Sequence, residues 1–480
     1  MLNIRPLLFI LGVFLSTLTA FMFIPLLFAL IYGEETVGAF MIASLATGTC
    51  ASACMHQGQS DNLRLNIRDM FLLTSLTWFI VSLFAATPFT LYHGINYTDA
   101  FFETMSGITT TGSTVLSGLD TMDHSILIWR SLLQWLGGIG FIVMAVAILP
   151  FLNVGGMRLF RTESSDWSDK AVPRTQNMAK HLFWVYIGLT VACALAYHAA
   201  GMNWFQAINH SMTTLSTGGY STSDSSMAAF SHSAHWIGTL FMAAGGLPLL
   251  MFVHSLSQRS VKIWNDAQVK GYLLFIICIS CSLAFWLWHQ NDMAPEDALR
   301  LASFNVVSVV TTTGYGLTDY TAWGPLANVA FLFLMFVGSC SGSTSGGIKI
   351  FRFQIAFSIM REQLKQQLHP NGVFKERYNG RPITEDIVRS LVTFILLFLG
   401  VIVVLSVILV STGLDPTTSL SGAITAVTNV GPGLGPVVGP SGNFSSLPDI
   451  AKWALSIGML LGRLEILTVA VLFHPNFWKY

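Results

Sequence analysis

Charge is what this chain has least of. Only 10% of its 480 residues are Asp, Glu, Lys or Arg, against about 25% in a soluble globular domain. Such a chain cannot cover a water-facing surface of the usual kind. Its 24 basic and 24 acidic residues cancel, which removes the electrostatic case for a nucleic-acid partner. Cysteine is scarce as well: six, scattered, too few for a disulfide scaffold. Cys278 and Cys281 have C-x-x-C spacing, but they lie in an apolar run with no second pair. They read as small buried apolar side chains rather than a zinc or redox site. Disordered and collagen-like classes are excluded by a hydrophobic content of 53%.

What the chain has instead is long apolar runs, with a mean hydropathy of +0.61. Runs of about 20 residues cross a bilayer as helices. They occur near 7–32, 37–56, 70–93, 125–151, 180–201, 234–257, 271–290, 325–360, 388–411 and 450–473. The first is too long for a signal-peptide core and reads as an anchor. Ten spans put both termini on one side. Of the 24 Lys and Arg residues, 20 fall on one set of ends, from Arg5 through Arg64, Arg158, Lys170 and Arg259 to Lys479. The opposite ends are acidic, with Arg300 and Lys452 the basic exceptions. The basic side is cytoplasmic, so both termini are predicted inside, and the acidic outer face concentrates cations.

Four segments on the acidic side share one layout: a short apolar helical stretch, a Ser/Thr/Asn run, a glycine and a polar return. They are AFFETMSGITTTGST, QAINHSMTTLSTGGYST, ASFNVVSVVTTTGYGLTD and SGAITAVTNVGPGLGP. Aligned on Gly112, Gly218, Gly314 and Gly431, they are spaced by 106, 96 and 117 residues. Nine residues earlier stand Glu103, Asn209, Asn305 and Gly422. One such loop alone would read as an ordinary Ser/Thr-Gly turn. Four in register, each between two spans, predict four units of helix, half-helix with loop, helix. Irregular backbone at membrane depth must be buried in protein or line a watery cavity. Four such loops around one axis offer rings of carbonyls that replace a cation's hydration shell. Half-helices entering from outside aim their negative C-terminal ends at the same cavity.

The third unit differs. From Pro325 to Arg361 the chain would extend about 55 Å as one helix, but ten consecutive small residues, Gly338–Gly347, interrupt it. A loop within the membrane is predicted there. A phosphate-binding nest ending at Lys349 lacks the Lys-Ser/Thr signature. A serine-protease reading needs a facing histidine, and His181, His198, His254 and His289 lie near helix ends. In the last span, Arg463 lies eleven residues beyond Lys452, about 16 Å deeper along a helix. It must face protein or a water-filled path, either as structural glue bonded to carbonyls or as a charge in the permeation path. Arg130 reads as a shallower residue that snorkels outward. Glu465 is the one carboxylate placed to couple a second ion.

On these features, over nearly its whole length, the chain resembles the Trk/Ktr/HKT potassium transporters, and most closely the TrkH type, which carries an extra amino-terminal helix pair. The resemblance implies an all-α integral membrane protein with four pseudo-repeated helix–pore loop–helix units around one central pore. The N-terminal pair occupies 1–68, and the units occupy 69–151, 176–257, 268–361 and 383–478. It implies K+ as the permeant ion at a filter made by Thr110, Thr111, Gly112 and Ser113; Ser216, Thr217, Gly218 and Gly219; Thr312, Thr313, Gly314 and Tyr315; and Asn429, Val430, Gly431 and Pro432. Ser113, Gly219, Tyr315 and Pro432 follow the four glycines and form the outer entrance. Glycine at 112 matches the potassium-selective pattern, since sodium-favouring relatives commonly have serine there.

The gate comprises the intramembrane loop 338–347 with Gly338, Gly342, Gly346 and Gly347, together with Lys349 and Arg463. Also implied are a homodimer in the bacterial inner membrane and a cytosolic TrkA-like regulatory ring. No cofactor is bound covalently, and ATP/ADP or NAD act only through that ring. The soluble segment 361–386 offers it a docking surface. The alternative is a sodium- or proton-coupled symporter. An intramembrane hydrolase is disfavoured by the fourfold repeat, so no enzyme activity is expected.

Overall fold

The computed structural model describes residues 3–60, 65–92, 94–147, 171–258, 265–290, 293–372, 374 and 377–479. The basic residues Arg64, Arg158, Arg161, Lys170, Arg259, Lys262 and Lys375 lie outside them, as does the end of the 125–151 span.

Two long helices, α1 (Ile4–Tyr32) and α2 (Val37–Gln57), form an antiparallel pair at the N-terminus. Glycine allows their close approach: a side chain at Gly58 would overlap the backbone of Phe9 and Arg5. Small residues at such crossings are how helices associate without a hydrophobic drive between them. Then come α3 (Ile67–Ala85), the short α4 (Tyr97–Ile108) and α5 (His124–Ala147). The pattern of long helix, short helix, second helix recurs three times. It recurs in α6 (Ala171–Ala199), α7 (Trp204–Leu215) and α8 (His232–Gly245) with α9 (Leu249–Gln258). It recurs in α10 (Ala267–Gln290), α11 (Pro295–Val310) and α12 (Pro325–Leu334). The last copy is α14 (Glu385–Ser411), α15 (Pro416–Thr428) and α16 (Asp449–Arg463), following α13 (Ile350–Leu368).

The short helices start where a polar cap meets an apolar run. Asn96, Asn203 and Asp415 each accept the backbone N–H three residues on, at 2.8–2.9 Å. Such a cap satisfies one of the orphan donors of a helix start. Six described helices are long and apolar enough to cross a bilayer, and α16 with the turn Leu467–Phe473 makes a seventh span only as a pair bent by 107°. Large apolar side chains such as Phe23, Trp184, Leu195, Phe285 and Val404 stand exposed on these helices, as a lipid-facing surface requires.

Three of the ten expected spans are therefore not continuous. The 234–257 run breaks at Gly246–Pro248, between α8 and α9. The 325–360 run breaks between α12 and α13, as its small residues predicted. The 450–473 run bends after Arg463, where Glu465 has a φ of 53°. Cys278 and Cys281, expected to be buried, are exposed on α10.

The soluble segment after α13 is more ordered than a solvated charged loop. Strands β3 (Arg377–Tyr378) and β4 (Arg381–Pro382) pair antiparallel around Asn379 and Gly380, both at positive φ, a favoured two-residue hairpin turn. Asn379 Oδ1 accepts the Ala267 N–H at 3.1 Å, and the Tyr378 hydroxyl donates to Gln354 at 2.8 Å.

Candidate functional site

The four short helices all end in the same way. After α4, the N–H of Thr111 donates to the Ser106 carbonyl at 2.8 Å and that of Thr110 to Gly107 at 2.9 Å. The pairs Gly218–Thr213 and Thr217–Thr214, Thr313–Ser308 and Thr312–Val309, and Val430–Thr425 and Asn429–Ala426 repeat the pattern. This is a Schellman ending, whose left-handed residue is usually glycine and sometimes asparagine. Here that residue is Thr110, Thr217, Thr312 or Asn429, with φ of 53°, 52°, 56° and 57°. A β-branched residue in that region is an outlier and costs about 1–3 kcal/mol. Three occur at equivalent positions.

Two residues further on, every loop has a second left-handed residue. These are Gly112, Gly219, Gly314 and Gly431, with φ of 85°, 78°, 79° and 106°. Each lies against a backbone oxygen of the next loop: Gly112 on Gly218, Gly219 on Thr313, Gly314 on Val430 and Gly431 on Thr111. A Cβ at any of the four would overlap that oxygen. The contacts close a ring in chain order.

This ring corrects the register expected for the second loop. The equivalent of Gly112, Gly314 and Gly431 is Gly219, not Gly218. Gly218 instead matches Thr111, Thr313 and Val430. The residue nine places earlier is then His210, not Asn209, and the residue after the glycine is Tyr220, not Gly219. Two adjacent glycines make the spacing ambiguous, but Thr217 aligned with Thr110 and Thr312, and Tyr220 with Tyr315, carried the signal.

The residues following the glycines also depart from expectation. Tyr315 is buried and points sideways, its hydroxyl 2.6 Å from that of Thr213 and 3.1 Å from that of Thr214. Tyr220 likewise donates to the Glu103 carbonyl at 2.7 Å, and Ser113 to the Gly431 carbonyl at 2.9 Å. Three of the loops are thus tied to the preceding unit. Behind loops 1 and 2, Arg130 does not snorkel outward. It is 1% exposed, pairs with Glu103 at 2.8 Å, donates to the Ser221 carbonyl at 3.0 Å, and lies 4.1 Å over the Tyr220 ring. Glu103 in turn accepts the Val115 N–H at 3.0 Å. The two basic exceptions on the acidic side are locally paired: Lys452 with Asp99 and Arg300 with Asp297, each at 2.6 Å.

The small-residue run 338–347 packs against these loops. Its ends are held by a short parallel ladder, β1 (Val337–Gly338) with β2 (Ile348–Lys349). Its serines bond to one another: Ser343 to Ser345 at 2.9 Å, and Ser339 to Ser345. The backbone groups freed by the break between α8 and α9 find partners in this run. The Cys340 N–H donates to Gly246 at 3.1 Å, and the Leu249 N–H to Gly342 at 3.0 Å. Two broken helices thus satisfy each other's polar groups, as burial demands.

The run reaches three of the four left-handed residues. The Thr217 hydroxyl lies 3.2 Å from that of Thr344, the Gly346 N–H donates to the Thr312 hydroxyl at 2.7 Å, and Gly346 packs on Asn429. Lys349 donates to Ser345, and Arg463, 1% exposed, donates to the Thr344 carbonyl at 2.8 Å and to Gly137 at 3.4 Å. Thr344 and Gly346 of the run touch the loops directly, and Gly338, Gly342, Gly347, Lys349 and Arg463 brace it from behind through each other, Ser345, Thr344 and the α8–α9 break. Glu465 pairs with Arg352 at 3.0 Å, and Arg352 lies 3.7 Å over the Phe394 ring.

These features define a class: a multi-pass membrane protein whose broken and short helices bring carbonyls and hydroxyls to one meeting point. Among the described residues, no group of three or more His, Cys, Asp or Glu side chains is placed to hold a metal ion. The chain belongs to the TrkH family of cation transport proteins, whose model matches residues 34–480. It is 47% identical over 477 residues to the Trk system potassium uptake protein TrkI of Halomonas elongata, covering 99% of this chain and 97% of that protein. It is 37% identical over 478 residues to TrkH of Escherichia coli, covering 98% of each. The crystal structure of the potassium transporter TrkH from Vibrio parahaemolyticus superposes with a TM-score of 0.91 over 99% of both chains, at 33% identity.

Proposed function

We propose that the chain is a potassium uptake protein of the bacterial inner membrane, with both termini cytoplasmic, and that the ring of loops is its ion path. The observation that carries this reading is the fourfold repeat of a left-handed residue, an ordinary residue and a left-handed glycine. Alternating the hand of successive residues lines their carbonyls along one side of an extended chain, whereas a strand alternates them and a helix uses them in its own hydrogen bonds along its axis. Such carbonyls replace a cation's hydration shell. The C-terminal ends of α4, α7, α11 and α15 add negative potential at the same place. The filter is then Thr110–Ser113, Thr217–Tyr220, Thr312–Tyr315 and Asn429–Pro432, with the four units and N-terminal pair bounded as expected from the sequence. The names of the relatives support potassium as the cargo.

The run 338–347 is the gate in this reading, held against the filter by Lys349 and Arg463. A homodimer, and a cytosolic TrkA-like ring that brings ATP/ADP or NAD into control, complete the proposal; the hairpin 377–382 and α13 are where such a ring would grip. A coupled symporter needs a carboxylate open to the second ion. The pairings of Glu465 with Arg352 and of Glu103 with Arg130 disfavour it. The test is rubidium or potassium flux through purified protein in liposomes, without partner and without sodium. Passive flux is expected; strict dependence on sodium or a proton gradient would overturn the channel-like reading.

A further inference from the structure

Of the four carbonyls that the ring glycines pack against, one accepts a side-chain hydrogen bond. The Gln134 side-chain amide, on α5, donates to the Gly218 oxygen at 2.5 Å. Its own oxygen accepts the Tyr220 N–H at 3.0 Å. Gln134 is fully buried and spans the three residues of loop 2 in which the filter turns. Among the described residues, no other side chain donates to the carbonyl of Thr111, Thr313 or Val430. The same contact explains why position 218 is glycine while its equivalents carry side chains. A Cβ at Gly218 would overlap the Gln134 amide, the closest contact it would make.

We infer that Gln134 is a positioning residue that sets ion selectivity, by holding one carbonyl of the ring in a state different from the other three. A carbonyl that already accepts a hydrogen bond has less electron density left for a cation, and its direction is held. The ring then offers three free carbonyls and one shared one. A weaker field favours the larger, more easily dehydrated ion over the smaller, because selectivity follows the number and field strength of the carbonyl dipoles. Losing the amide frees the fourth carbonyl and strengthens the field. It also releases Tyr220, whose hydroxyl ties loop 2 to loop 1. Both changes move preference toward sodium. The inference rests on the reading that these carbonyls line the ion path.

The test is the K+/Na+ permeability ratio of full-length protein in liposomes, for wild type, Gln134→Leu and Gln134→Glu. Leucine keeps the bulk and removes both bonds. Glutamate keeps the acceptor for Tyr220 and, read at alkaline pH where the carboxyl is ionised, removes the donor to Gly218. The ratio is expected to fall about three- to tenfold in both, the range that one net hydrogen bond supplies, while the purified protein keeps its melting temperature within a few degrees. A wild-type ratio in both variants, with cation flux retained, overturns the inference and leaves the ion path standing. Absence of selective cation flux in wild type overturns the ion-path reading itself. Should the two variants fail to fold, Gln134→Asn is measured, since it keeps a buried amide that is one methylene too short to reach Gly218. A lowered ratio in that variant supports the inference. A wild-type ratio, or failure of all three proteins to fold, overturns it.

Discussion

The Arg463 guanidinium donates to the carbonyl of Thr344, 2.8 Å away across the gap between the last helix and the small-residue run. The hydroxyl of the same threonine accepts from that of Thr217 at 3.2 Å. A charge, a residue of the small-residue run and a left-handed residue of the ring are therefore in one line of contacts. Charges in a poorly solvated passage interact by several kcal/mol at most after screening and relaxation, enough for large changes in rate. Arg463→Ala is expected to raise partner-independent flux in liposomes. Lost folding without added flux would reduce Arg463 to structural glue.

Gly219 and Gly218 are adjacent, yet the ring separates them. Gly219 meets a backbone oxygen at a φ of 78°, whereas Gly218 meets a side chain. Gly219→Ser, like Gly112→Ser at its equivalent, is expected to lower potassium selectivity or abolish flux, and shortening Gln134 is not expected to rescue it. Flux and ion ratios in Gly219→Ser with Gln134→Ala check this. Restored wild-type selectivity would return the filter position to Gly218.

Arg130 and Glu103 form a pair almost wholly out of solvent. Removing one partner of such a pair costs about 3–5 kcal/mol because it leaves a buried charge, whereas replacing both by apolar residues of similar volume is often close to neutral. Arg130→Ala should lose most of its folded protein in the membrane. Glu103→Leu with Arg130→Met should recover much of it, measured by thermal melting of the detergent-solubilised protein. If the double variant melts no higher than the single one, the network has a role beyond charge compensation.

Between α1 and α2, Glu34 accepts the backbone N–H groups of His124 at 2.7 Å and Ser125 at 3.1 Å. Burial alone raises its pKa, but the hydrogen bonds from Ser125 and His124 outweigh it and leave the carboxyl below its ordinary 4.5. A depressed carboxylate stabilises the native state above its unfolded pKa and loses that contribution as pH falls through the folded value. The melting temperature should therefore fall as the pH drops below 4.5, and Glu34→Gln should flatten that part of the profile. Identical profiles would show that Glu34 does not link the N-terminal pair to α5.

How much of this was legible in the sequence follows from the range of each signal. Membrane spans, the four Ser/Thr-Gly loops and the break at 338–347 are local, and the chain states them within a window of a few turns. The register of loop 2 is local too: Gly218-Gly219 admits two alignments, Thr217 and Tyr220 favour one of them, and the contact with Thr313 across the ring selects that one. Arg130 was misread because its partners are distant in the chain: Glu103 is 27 residues away and Ser221 is 91. Spacing along α5 alone makes Arg130 a shallow residue near a helix start. The bend after Arg463 was hidden for a similar reason. In GMLLGRLEILTVAV only the isolated Gly458 and Gly462 weaken a helix, too little to predict a break, and the turn at Glu465 is bonded through Arg352 on another helix.

The loops that close the ring are unequal. Three are headed by threonine and one by asparagine, two send a tyrosine sideways, and one is held by a glutamine. In an assembly of four identical subunits, each codon change alters four positions at once, so a gain at one quadrant is tied to losses at the others. Here the quadrants are separate stretches of a single gene. Each can drift, duplicate a glycine or acquire a new prop while its three neighbours keep working. With the ring proposed as the ion path, intermediate preferences among ions thus become reachable in single mutational steps.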